Sequence, residues 1–284
     1  MILITGSAGK TGLHIARNLV NKGYKIKAFL HKQEYIEKLK LYGVNNYFVG
    51  DIRNENDVEK SLGDVNSVYY ICPNATPDEF LLGKLFIEKS RNIGIEHFIY
   101  HSVLYPQIGK MPHHWNKLLV EEELINSGLN YTIIQPAIYM QNLLGQIDSS
   151  QKSTTITLPY NSNSKLSMVD LDDVGQVVTT MVLNPKHYHA TYSLIGEAAI
   201  SYNDIKDIFK DKINKNIDIT EINLTKWEHN ALQSGFSQEK ISILKKMFEY
   251  YDRYGFIGNT NILECLLGHK PTSIKEFITK NYQI

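Results

Sequence analysis

The chain has little arginine, almost no cysteine, no excess of either charge and no long apolar run, and each shortage removes a class of function. Arginine occurs only at Arg17, Arg53, Arg91 and Arg253, and 30 basic side chains balance 30 acidic ones over 284 residues. A formal charge of zero provides no general electrostatic footprint for nucleic acid or for an anionic membrane. Cys72 and Cys265 are the two cysteines, far apart in sequence. They fit neither a disulfide framework nor a CxxC metal motif, which points to a reducing, cytoplasmic setting. The first apolar stretch is stopped by Gly6 and has no basic segment ahead of it, so it reads as neither a signal peptide nor a membrane span. No metal set is expected either. His31, His97, His101, His113 and His114 show no HExxH spacing, and the adjacent rings of His113 and His114 are expected to point apart on a helix. Ser102 and His113 supply no sharply presented nucleophile with an oriented base, which argues against a hydrolase.

The first twelve residues contain the strongest positive signal. An apolar strand, Met1 to Thr5, runs into Gly6-Ser7-Ala8-Gly9-Lys10-Thr11-Gly12, and Leu13, Ala16, Leu19 and Val20 follow at helical spacing. Strand, tight glycine turn and helix start together form the cradle for a dinucleotide pyrophosphate. Gly6 takes backbone angles costly for other residues, Gly9 lets the backbone approach the phosphates, and Gly12 allows close helix packing. Gly6, Ala8, Gly9, Lys10, Thr11 and Gly12 are therefore the phosphate-side candidates, served by unpaired helix N–H groups. Gly9-Lys10-Thr11 resembles the end of an ATP-binding P-loop only superficially, because the preceding glycine spacing is absent.

Strands are expected at 24–30, 46–49, 67–71, 97–101 and 130–135, alternating with helices at 33–41, 54–61, 78–92 and 113–126. This alternation predicts an α/β fold: a Rossmann-type parallel sheet covered by helices. Beyond about Gly145 the rhythm changes. A strand at 154–158, helices over 172–182 and 201–209, much of 226–251 and a final helix near 273–278 read as a smaller mixed C-terminal substrate lobe. The expected division is a predominantly nucleotide-binding region at 1–145 and a substrate lobe at 146–284, with a strand near 190–195 returning to the main sheet.

The second strand ends in Phe29-Leu30-His31-Lys32, with no acid before Glu34. An NAD site usually places a carboxylate there, whereas NADP needs cationic or neutral donors for its extra phosphate. His31 and Lys32 thus favour NADP(H) over NAD(H), against the alternative of a solvated helix entrance. Asp51, past the third strand, suits either the adenine amine or a helix cap near Glu55. Pro73 and Asn74 follow the fourth strand, where a turn commonly lies beside the cofactor's central ribose.

Three further stretches give this chain a family resemblance: HSVLYPQIGKMPHHWNKLLVEEELINSGLNYTIIQPAIYMQN at 101–142, Leu166 to Gly175, and LLGHKPTSIKEFI at 266–278. With the glycine turn, they resemble the NmrA-like branch of the atypical short-chain dehydrogenase/reductase family over nearly the whole chain. The resemblance implies an NADP-preferring Rossmann-type fold with a small C-terminal lobe. It further implies that Ser102 and Leu104 flank the nicotinamide and that Pro136, Ala137 and Ile138 line its other edge. Some members are similar to quinone, enone, dye or flavonoid reductases, and others are cofactor-sensing regulators.

Ordinary short-chain dehydrogenases use Ser and Tyr-x-x-x-Lys. Here His113 and Lys117 occupy the four-residue spacing, and the tyrosine is missing. Lys117 is the candidate to grip the nicotinamide ribose, the alternative being a surface lysine. His113 suits a proton relay or a polar helix start, because histidine titrates near neutral pH. Tyr139 either replaces the absent phenol or packs against substrate. Trp227, Phe248 and Tyr251 suit closure over a flat substrate or core packing.

These features predict an NADPH-dependent reductase of a small, flat, electrophilic quinone or activated enone. The alternative is a nonenzymatic NADP-binding redox sensor that contacts a regulatory protein. The sequence specifies no oligomeric state.

Overall fold

The computed structural model describes residues 1–147 and 153–282. The chain divides into two compact units, the first built from Met1–Ile108, His113–Gln135 and Val174–Ser193, the second from Gly109–Pro112, Pro136–Asp173 and Leu194–Ile284.

In the first unit strands and helices alternate from the start: β1 (Ile2–Ile4), α1 (Lys10–Asn21), β2 (Ile26–Leu30), α2 (Ile36–Lys40), β3 (Asn46–Val49), α3 (Glu55–Leu62), β4 (Ser67–Tyr70), α4 (Glu79–Ile93), β5 (His97–His101), α5 (Pro112–Ile125) and β6 (Tyr131–Pro136). The chain continues through β7 (Ile138–Tyr139), β8 (Ser153–Leu158), β9 (Leu166–Val169) and α6 (Leu171–Met181) to β10 (Ala190–Leu194). One seven-stranded sheet has the order β10-β6-β5-β4-β1-β2-β3, with every pair from β3 to β6 parallel. Every residue of β1, β2, β4 and β5 is buried. That continuous burial matches strands that are apolar or aromatic at most positions on both faces, with Lys27, Ser67, His97 and His101 as buried polar exceptions. The edge strand β3 is mostly exposed. Strand order reverses between β4 and β1, and in such sheets a ligand binds beyond the C-terminal strand ends at the reversal. The segments leaving β1, β2, β4 and β5 are therefore the ones positioned for function.

Helices α4 and α5 cover a core in which Phe29, Tyr70, Phe86, Phe98 and Tyr100 cluster with Val120 and Leu124. The Tyr70 ring is central, with centroids 4.9 Å from Phe86, 6.0 Å from Phe98 and 5.9 Å from Tyr100. Gly94 ends α4 in the left-handed region at φ 81°, the conformation for which glycine lacks the usual steric penalty.

The second unit holds a three-stranded sheet of order β11-β9-β7, where β11 is Glu197–Ile200. It continues with α7 (Tyr202–Ile213), β12 (Asn216–Glu221), α8 (Leu224–Gln233), α9 (Gln238–Tyr254), α10 (Asn261–Leu267) and α11 (Ile274–Tyr282). Strand β12 pairs in parallel with β8 from Asn216↔Ser153 to Glu221↔Leu158. The helical pattern over 226–251 is two helices. Gly235 at φ 80° and the Ser237 side chain, which accepts from the Lys240 N–H, interrupt it. The short strands β9, β11 and β12 escape a periodicity reading because each is only four to six residues long.

Phe86 is fully buried against both Phe29 and Tyr70. Phe86→Ala is expected to lower unfolding free energy by about 3–5 kcal/mol, read as a fall in the urea midpoint at unchanged slope.

Candidate functional site

The turn after β1 is held by its two polar side chains. Thr5 Oγ1 donates to Ile71 O at 2.8 Å and accepts from the Ile71 N–H at 2.7 Å, while Ser7 Oγ donates to Phe29 O at 3.2 Å. The loop is thereby tied to the ends of β4 and β2. Gly6 lies at φ 59°, and the Gly9 N–H donates to Gly6 O at 3.0 Å. A Cβ on Gly12 would sit 2.2 Å from Gly6 O and 2.6 Å from Ser7 Cα, and one on Gly9 would sit 3.2 Å from Gly6 O. Helix α1 therefore starts as close to the end of β1 as backbone atoms permit. Gly9 is its N-cap, no side chain caps it, and its first turn holds no acidic residue. The positive end of the helix is left to whatever anion approaches it.

Beside this turn a cavity of about 360 Å³ is lined by Lys10, Leu13, His14, Arg17, Lys38 and Tyr42. Burial pushes the Lys10 ammonium below its ordinary value. Lys38 Nζ donates to Ala8 O at 3.3 Å, a basic contact that sequence reading did not single out. Its signal was available as a lysine on the helix after β2. His31 and Lys32 are both exposed at the end of β2. The His31 ring lies 5.1 Å from Tyr35, and Lys32 Nζ lies 3.6 Å from Glu34 in a solvent-exposed pair of little energetic weight. Asp51 accepts from the Arg53 N–H at 2.9 Å, whereas Asn54 is the residue that caps α3. Pro73 and Asn74 are exposed in the loop leaving β4, and the next residue, Ala75, is held at φ 54°.

At the end of β5 the site becomes dry and charged. Lys117 Nζ lies 2.9 Å from Glu79 Oε1 and 3.5 Å from His101 O, and Tyr100 OH donates to the same Glu79 oxygen at 3.0 Å. Glu79 is 2% exposed. Burial and the neighbouring Glu79 push the Cys72 thiol and the Tyr100 phenol well up, which keeps both protonated. Ser102 Oγ donates to the buried Glu121 carboxylate, which also accepts from Gln135 Nε2 at 3.0 Å. Burial raises the Glu121 carboxyl above its usual value, partly offset by the bonds from Ser102 and Gln135. Neither Glu79 nor Glu121 emerged from the sequence. Glu79 looks there like an ordinary acid at a helix N-terminus, and Glu121 like one of three consecutive glutamates.

His113 is buried, and its Nδ1 has no hydrogen-bond partner among the described residues. Its ring meets that of His114 edge to face at 4.5 Å. The two rings therefore touch rather than pointing apart as expected. Burial, helped by His114 and Lys117, pushes His113 down to about 3, and burial pushes His114 down to about 4. At neutral pH the His113 imidazole carries no proton to give as an acid; it offers one N–H donor and one nitrogen acceptor.

In the second unit, the Ala137 N–H donates to Leu194 O at 3.0 Å, and Ile138 and Tyr139 pair with Met168 and Val169. Pro136 and Ala137 are buried, whereas Ile138 and Tyr139 are half-buried. Trp227 and Tyr160 both pack on Phe248, at 4.8 and 5.8 Å, and Tyr251 packs edge to face on Tyr160 at 5.9 Å. These aromatics form one cluster within the unit.

The NmrA-like family model matches residues 1–280. The chain belongs to the NmrA-like family. Among relatives of this NmrA-like protein, an NAD(P)H azoreductase of Xenophilus azovorans is 27% identical over 210 residues, spanning 71% of this chain and 70% of the relative. The NADPH-dependent quinone oxidoreductase of Escherichia coli, solved with NADPH, superposes at a TM-score of 0.82 with 17% identity, covering 100% of both chains. NmrA itself, a negative transcriptional regulator solved with NADP, superposes at 0.75 with 16% identity, covering 99% of this chain and 94% of its own. At these identities the two superpositions show a shared fold. No helix among the described residues is long and apolar enough to cross a membrane.

The depressed histidines set the direction of acid sensitivity in this NmrA-like protein. His101 and His113 fall to about 3 and His97 and His114 to about 4, all chiefly by burial. The unfolded chain, with histidines near 6.5, binds more protons over that interval, so stability is full above about pH 6.5 and is lost as pH falls. Urea unfolding from pH 7 to 4.5 is expected to show this decline. His113→Phe should flatten the slope by up to about 1.4 kcal/mol per pH unit.

Proposed function

We propose that this protein is an NADPH-dependent reductase of a small, flat, electrophilic substrate, a quinone or an activated enone, working in the cytoplasm. The observation that carries this reading is the side-chain-free contact of Gly12 with Gly6 and Ser7 at an uncapped, acid-free helix N-terminus. A dinucleotide diphosphate is the anion such a cradle fits. The names of the azoreductase and the quinone oxidoreductase support the same activity class.

Gly6, Ala8, Gly9, Lys10, Thr11 and Gly12 hold the diphosphate. His31 and Lys32, joined by Lys38 against Ala8, serve the extra phosphate of NADP, since the end of β2 carries no carboxylate. Asp51 serves the adenine, Pro73 and Asn74 the central ribose, Ser102 the nicotinamide end and Lys117 its ribose. When bound, NADPH supplies a hydride, and alignment rather than covalent catalysis governs the rate. Lys117 binds and orients. Glu121 fixes the Ser102 hydroxyl by accepting its proton in a hydrogen bond. His113, neutral and buried, offers a hydrogen bond in place of a proton, and solvent water protonates the reduced oxygen. A quinone tolerates this arrangement because its reduced form is a stabilised phenolate, whereas an unactivated carbonyl does not. Tyr139 is assigned as a polar contact of the substrate.

The absence of any acid charged for proton donation at His113 favours a second reading, a nonenzymatic NADP-binding sensor that contacts a regulatory protein. A panel of quinones and enones with NADPH separates the two. Turnover above uncatalysed NADPH oxidation supports the reductase, whereas NADPH binding without turnover on any acceptor supports the sensor. Lys117→Met is expected to weaken NADPH binding about 10- to 100-fold by titration calorimetry, the loss of one charge-assisted contact. Replacing His31 and Lys32 together by alanine should narrow the preference for NADPH over NADH while leaving NADH affinity within about threefold.

A further inference from the structure

We propose that Glu79 is the positioning residue for Lys117, holding its ammonium in place for the ribose where ordinary short-chain dehydrogenases have a tyrosine; this rests on the cofactor reading above. The argument starts from the lysine's inventory of donors. An ammonium has three N–H groups. Glu79 Oε1 at 2.9 Å takes one and His101 O at 3.5 Å takes a second, leaving one donor for a ligand hydroxyl. The Tyr100 ring, 5.4 Å from Nζ, closes a further side.

A free lysine stem has four rotatable bonds, and nothing local confines Lys117 to one rotamer. Glu79 does so from another helix. Its carboxylate is buried, and Tyr100 OH bonds the same oxygen from β5, so the carboxylate is itself immobilised from a third element. A solvated surface pair would show neither the burial nor this second donor. The pair also has an electrostatic consequence. A buried ammonium is costly without a counter-charge, and Glu79 supplies one at bonding distance. His101 and Tyr100 on β5, Cys72 after β4, and His113 and His114 on its own helix are all neutral, and the Glu121 carboxyl, whose charge also reaches Lys117, bonds Ser102 and Gln135. Among the described residues, Glu79 is the carboxylate bonded to the ammonium.

The test is Glu79→Gln in the full chain, which keeps the size of the group and an oxygen for Tyr100 while removing the charge. NADPH affinity measured by nucleotide fluorescence is expected to fall about tenfold or more at pH 8.5 and by less at pH 6. Wild-type affinity should change far less over the same range. Glu79→Asp, which keeps the charge but withdraws it by one methylene, should restore the wild-type pH profile with a weaker affinity, and it serves where the Gln variant folds poorly. An unchanged affinity and pH profile in a folded Gln variant overturn the proposal and leave the cofactor reading standing. Failure of the wild-type protein to bind NADPH overturns both.

Discussion

The contact between the end of β1 and the start of α1 is the constraint from which the first unit follows. Gly12 lets the helix backbone close on Gly6 and Ser7 at distances where any side chain would collide. Thr5 and Ser7 then tie the turn to β4 and β2. Had the helix started farther from the sheet, its N–H groups would not converge beyond the strand ends at the reversal of strand order. One short backbone contact thus links the packing of a layer to the anion-binding property of a helix terminus.

The polar interior at the end of β5 follows a different logic. The buried carboxylates Glu79 and Glu121 sit on α4 and α5, and each accepts from two neighbouring elements. Burying a carboxylate is costly unless it is paired and hydrogen-bonded, and both of these are. The same dryness keeps His101, His113 and His114 neutral. A site of this kind orients groups through fixed hydrogen bonds rather than by shuttling protons.

Much of the first unit was legible because its signals are local. An apolar strand buried on both faces, a glycine turn and a helical repeat each occupy a few adjacent residues, and their alternation implies parallel strands under helices. The second unit was harder for the same reason. Its strands are short and pair across long separations, as β8 with β12 does, and the helical pattern at 226–251 hides the Gly235 break. The resemblance to the NmrA-like family, resting on separated blocks of sequence, reached the family that matches residues 1–280.

The sequence by itself determined the glycine turn, the absence of a carboxylate at the end of β2, the absence of the tyrosine four residues before Lys117 and the Rossmann-type order of elements. All of these are statements about which residue stands where along the chain. Only the tertiary structure decided that Lys117 meets Glu79, that Ser102 donates to Glu121, and that His113 is dry and uncharged. Those outcomes depend on which side chains from elements 19 to 38 residues apart share a low-dielectric volume, and burial and pairing are properties of that volume rather than of any single residue.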